Sequence, residues 1–281
     1  MKVVFIHHMI TGLGEIFSSW LSIYYINNIL KNRGFKTYLV IECSERCGYF
    51  SVDTLFDFFD KEEIEKDFST VELTKKHTVN SELICHNSFQ LNDPMYSLYS
   101  TETNLPEECN KYFNLKADTV YKQSLSLTFP SIVKKSTINT TVYPPNLIAH
   151  HIRLQDQGES IEKSIEVAKY ITPYLSNSDY IFSNCLNIKE YLQSNTSLDL
   201  HTYSDAKVGN HPYTNMPDVD IEIKTKSLLQ AYKEMVILSN AKFIYMYSAW
   251  DIVSGFLILS AIKQTPYKHI FIKGILEKVR S

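Results

Sequence analysis

Asn146 to Asp156, NLIAHHIRLQD, is the stretch on which the fold turns. Leu147, Ile148, Ala149 and Ile152 make a short apolar run, and Arg153 and Asp156 end it in charge. An apolar run of this length that stops abruptly at polar residues reads as a buried strand whose carboxyl end meets solvent. Pro144-Pro145 lies just before it, and proline stiffens a connection because it fixes φ and lacks an N–H donor. A second structural unit is therefore expected to begin at residue 145.

Downstream of this strand (147–152) the rhythm is regular. The spacing predicts a helix over about 159–174, a strand over 179–183 (DYIFS) and a helix over 187–194. A strand near 198–203, a loop over 204–223, a helix over 224–239, a strand over 242–247 and a helix over 249–262 follow. Strands alternating with helices at this spacing predict a parallel sheet covered on both faces. Upstream, Lys2–His7 (KVVFIH) is an apolar strand followed by Thr11-Gly-Leu-Gly14, and an apolar-periodic helix runs from Ile16 to about Lys31. Arg33-Gly34 ends that helix and Thr37–Glu42 (TYLVIE) is a second strand, which completes a βαβ unit. Between Cys43 and Thr141 the pattern weakens to Phe/Asp-rich segments and one short strand at Glu82–His86. The expected fold is α/β, with two Rossmann-like lobes on parallel sheets, residues 1–144 and 145–281.

Composition narrows the function. The 281 residues carry a formal net charge of −3 and no long Lys/Arg run, so no electrostatic case exists for a nucleic-acid partner. The amino end lacks the apolar core of a signal peptide, and Ile252–Ile262 is about half the length of a membrane span, which points to a cytoplasmic protein. The five cysteines (43, 47, 85, 109 and 185) lack the close CxxC pairs of a zinc site and read as reduced thiols. Asn139 and Asn195 match the N-glycosylation pattern without a secretory context. A dinucleotide-dependent oxidoreductase is disfavoured, because Gly12-Leu-Gly14 is followed by Glu15-Ile-Phe17, with no third glycine at the required spacing.

The strongest chemical feature is His151-Ile-Arg153-Leu-Gln-Asp156, an H-x-R-x-x-D string at a strand's end. Arginine grips phosphate oxygens in a planar, bidentate way, and a carboxylate three residues on orients it or a neighbouring donor. The same residues also suit a surface ion pair and a core histidine. His150 and His151 alternate across the sheet, so only one of them joins a site. The other strands of the second lobe also end in polar residues: Ser183 and Asn184, Ser204 and Asp205, and Ser248. Ligands of open α/β sheets bind beyond the carboxyl ends of the strands, so these ends should line one crevice.

The H-x-R-x-x-D string at the start of a second lobe resembles the donor-binding motif of the fucosyltransferase superfamily, which includes α1,2-, α1,6- and protein O-fucosyltransferases. Gly12-Leu-Gly14-Glu15 is similar to that family's Gly-rich first loop, Tyr180–Asn184 to a strand end with donor contacts, and Tyr203-Ser-Asp205 to a strand end that reads guanine. Leu228–Ile262 resembles the closing unit, with Ser248 at a helix amino end suited to phosphate. The resemblance covers about 120 residues of the second lobe and the first 20 or so of the first. It implies a GT-B, inverting, metal-independent glycosyltransferase, with GDP-fucose as donor, no further cofactor, and a glycan or glycoconjugate hydroxyl as acceptor. The nucleotide would sit mainly on the second lobe and the acceptor on the first.

It further implies that Arg153 and Asp156 serve the leaving diphosphate. His151, Ser183, Asn184, Asp205 and Ser248 would hold the nucleotide, together with Gly12 and Gly14. Glu159 is the catalytic base by position, with His7, His8 and Glu15 as competitors, and His211 lies in a turn-rich loop open to either ligand. Two departures stand out. Leu154 takes the place of a second arginine that α1,6-type members carry, and Asn184 stands where Asp is common. They leave open another GDP- or UDP-linked sugar (xylose, rhamnose or galactose) and a non-catalytic nucleotide- or glycan-binding protein on the same scaffold.

Overall fold

The computed structural model describes residues 2–8, 13–43, 50, 52–74, 84–86, 132–134, 146–154, 160–183, 185–198, 201–203, 220–249 and 255–272. The chain divides into two compact units, Met1–Thr140 and Thr141–Ser281. Each is α/β around a parallel sheet, as expected.

In the first unit β1 (Lys2–His8) leads into α1 (Leu13–Asn32), then β2 (Lys36–Glu42). Two short helices, α2 (Leu55–Phe58) and α3 (Lys61–Glu65), precede β3 (Thr70–Thr74), and β4 (Ile84–His86) follows. All pairings are parallel and the strand order is β3-β2-β1-β4. Gly34 stops α1 with φ 81°, a left-handed conformation that costs glycine nothing. The N–H of Phe35 then reaches back to the Leu30 carbonyl and that of Gly34 to Lys31, which satisfies two of the helix's last carbonyls. α1 buries Ile16, Phe17, Trp20 and Leu21 on the sheet. Trp20 is the hub, in ring contact with His7, Tyr24 and Phe59. The helix starts at Leu13 rather than Ile16, so Gly14 lies inside its first turn and is not part of a loop.

In the second unit β5 (Ile148–Arg153) is followed by α4 (Ile161–Ile171), a 3-10 turn (Thr172–Tyr174), β6 (Tyr180–Ser183), α5 (Leu186–Asn195) and β7 (His201–Tyr203). Next come α6 (Ile221–Ser239), β8 (Phe243–Ser248), a 3-10 turn (Gly255–Leu257), α7 (Ile258–Ile262) and β9 (Tyr267–Phe271). The sheet runs β7-β6-β5-β8-β9, all parallel. Helix starts follow their caps. Ser160 accepts from the N–H of Lys163, and Asp220 accepts from that of Glu222, which starts α6 three residues earlier than the expected 224.

Two elements differ from expectation after β8. The helix predicted from Ala249 is represented, among the described residues, by the 3-10 turn and the short α7. The chain then returns to the sheet as β9, for which the sequence reading had no strand.

One face of this sheet is closed by α4 and α5. Ile152, Ile181, Tyr247, Val167, Ile171, Ile188 and Leu192 form its core, with Leu154 and Cys185 among them. His151 stacks on Phe256 from the other face, with ring centroids 5.5 Å apart, so the turn after β8 lies on that side. Cys43 and Cys185 are buried. No helix among the described residues is long and apolar enough to cross a membrane.

Candidate functional site

The chain leaves β5 in one direction to build β6 and β7, then returns to build β8 and β9 on its other side. Connections that diverge in this way part at the carboxyl ends of the two central strands and leave a crevice there. In this unit those ends are Arg153 on β5 and Ser248 on β8, and the two residues are register partners.

Side chains alternate along a strand, and residues paired in parallel register share a face. His151, Arg153, Met246 and Ser248 therefore lie on one face, with Phe182 beside His151 and His269 beside Met246. His151 is buried and its ring stacks nearly parallel to Phe256, at 4°. Arg153 is half-buried and Ser248 fully buried. Ser248 Oγ is 2.6 Å from His269 Nε2, a short contact between adjacent strands. The row therefore combines a permanent cation, a hydroxyl and two imidazoles at the switch point.

The opposite face carries different chemistry. His150 is buried, with Nε2 3.3 Å from Asp179 Oδ2 and Nδ1 3.3 Å from the Tyr247 hydroxyl. The Asp179 carboxylate only accepts, so Nε2 carries the hydrogen, and in that tautomer Nδ1 accepts from the Tyr247 hydroxyl, which burial holds well above the usual phenol range and keeps protonated. The Nε2–H then donates to the carboxylate, which also accepts from the N–H of Ser176 at 2.8 Å. His150 is a core histidine whose polar atoms are used internally. The alternation expected for the two histidines thus places His151, and not His150, on the face of Arg153.

Ser183 lies with Ile152 on the face closed by α4 and α5. Its Oγ accepts from the N–H of Cys185 at 3.0 Å, at the entrance to α5. The structure therefore does not gather Ser183 with Arg153 and Ser248. Leu154 is packed in the same core. In the first unit His7 is buried edge-on against Trp20 at 4.8 Å, and Gly14 is buried in α1. Glu15 lies in the first turn of that helix, and His8 ends β1. Gly12, Asp156, Glu159, Asn184, Ser204, Asp205 and His211 lie outside the described residues. No group of three His, Cys, Asp or Glu side chains among the described residues is placed to hold a metal ion.

His269 is the residue that sequence reading missed. It belongs to β9, and the β-rich run Tyr267–Ile272 was the signal for that strand.

No family model matches the chain, and no curated protein matches it in sequence. Among solved structures the chain is similar to the α-1,6-fucosyltransferase NodZ soaked with GDP-fucose, at 11% identity and TM-score 0.49, covering 93% of this chain and 92% of that one. NodZ is from Bradyrhizobium. The chain is also similar to the Escherichia coli heptosyltransferase WaaC with ADP, at 10% identity and TM-score 0.37, covering 96% of this chain and 86% of WaaC. A family 9 glycosyl transferase from Veillonella parvula matches at 9% identity and TM-score 0.38, covering 95% of this chain and 79% of that one.

Proposed function

We propose that this chain is a GT-B glycosyltransferase that takes a nucleotide-sugar donor at the carboxyl ends of β5 and β8. The observation that carries the proposal is the register pairing of Arg153 with Ser248 at the switch point of the five-stranded sheet. A leaving nucleoside diphosphate needs its growing negative charge met by groups already in place, and an arginine beside a hydroxyl supplies charge and directed hydrogen bonds together. The resemblance of the H-x-R-x-x-D string to the donor motif of fucosyltransferases favours GDP-fucose as donor and transfer with inversion, without a metal.

In that reaction the acceptor hydroxyl oxygen attacks the anomeric carbon as the bond from that carbon to the diphosphate oxygen breaks. Arg153 and Ser248 receive the departing diphosphate, Asp156 orients Arg153, and Glu159 takes the proton of the acceptor hydroxyl. Asp205 reads the base, and His151 and Asn184 complete the donor contacts. Residues 145–281 hold the donor in this scheme and residues 1–144 present the acceptor, a glycan or glycoconjugate.

A thermal-shift panel with GDP, UDP, CMP, GDP-fucose and UDP-sugars, with and without EDTA, tests the proposal, because a ligand that binds only the folded state raises the midpoint. GDP compounds alone are expected to stabilise, with no effect of EDTA. Stabilisation by UDP compounds alone would change the donor, and stabilisation by no nucleotide would remove the transferase reading.

A further inference from the structure

We propose that His269 is a positioning residue of the donor site, acting through Ser248. The inference rests on the reading of the β5/β8 end as a nucleotide-sugar site and names a member that no motif pointed to. β9 lies beside β8 in parallel register and carries His269 on the face of Ser248 and Arg153. His269 Nε2 and Ser248 Oγ are 2.6 Å apart, with the serine fully buried and the histidine half-buried.

A serine hydroxyl has one hydrogen to give and two lone pairs to accept with. If the imidazole accepted at Nε2, the hydroxyl hydrogen would be committed to the ring. If Nε2 carries the hydrogen and donates, it occupies a lone pair of Oγ and directs the O–H toward a second acceptor. Only this form makes Ser248 a donor to phosphate beside Arg153, and a donor that is itself hydrogen-bonded is polarised and held in one rotamer. His269 is thus the Nε2–H tautomer, and β9 belongs to the site rather than merely flanking it.

The full chain is titrated calorimetrically with GDP and with UDP, alongside His269→Leu, His269→Gln, Ser248→Ala, Arg153→Ala and the Ser248→Ala/His269→Leu pair. His269→Leu is expected to weaken binding of the preferred nucleotide roughly five- to tenfold, the size of one ordinary hydrogen bond. His269→Gln, whose amide can still donate to Ser248, should restore most of that loss. In the Ser248→Ala background the leucine substitution should have no further effect, since its partner is gone. The ¹⁵N shifts of the His269 ring should report a protonated Nε2 in the free wild-type protein.

If Arg153→Ala weakens binding but His269→Leu does not, the donor site stands and the role of His269 is overturned. A protonated Nδ1 with bare Nε2, or equal losses in His269→Gln and His269→Leu, overturns it as well. If neither nucleotide binds the wild type, the reading beneath the inference fails and takes it along.

Discussion

The two sheets reverse direction at equivalent places, yet their described residues there differ in kind. In the first unit the reversal lies between β1 and β4, and the penultimate residue of β1, His7, is sealed against Trp20. In the second it lies between β5 and β8, and the strands end in Arg153 and Ser248. Strand order decides where a crevice can form, whereas the side chains at the strand ends decide whether it receives an anion. The first unit uses a strand-end histidine for packing, and the second uses its strand ends for polar chemistry.

The largest expected effect breaks the packed side of this comparison. Trp20→Ala removes the hub of the first core and should lower the free energy of unfolding, measured by urea denaturation, by about 3–5 kcal/mol. Nucleotide affinity of the protein that remains folded should be unchanged. A parallel loss of nucleotide affinity would contradict the assignment of donor binding to the second unit alone.

A smaller effect sharpens the contrast between the two faces of the second sheet. Asp179→Ala leaves the buried His150 and the N–H of Ser176 without their carboxylate and should cost about 1–3 kcal/mol of stability. Nucleotide affinity should hold, because His150 faces away from Arg153. If affinity falls as far as stability, the two faces are not separate in function.

The central strands were legible because burial on both faces leaves an apolar run: KVVFIH, TYLVIE and NLIAHHI each mark a strand the structure contains. The strands that were missed are β3 and β9, and both are sheet edges. Thr70, Glu72, Tyr267 and Lys268 are exposed, so these segments lack the signal of a buried strand. Missing β9 concealed His269, because its pairing with Ser248 exists only once two strands far apart in sequence lie side by side. The face of His151 followed from alternation and the Arg153 row from strand ends. Ser183 was misleading for the same reason: it stands at a strand end, but on the face that α4 and α5 close.

Isothermal titration of GDP into the wild type and Arg153→Ala, with matched thermal unfolding of both, tests the central claim most directly. The wild type should bind, and the variant should bind roughly 10- to 100-fold more weakly at an unchanged melting temperature, the loss of one arginine–phosphate interaction. Equal affinity in the two proteins would contradict a donor site at the ends of β5 and β8.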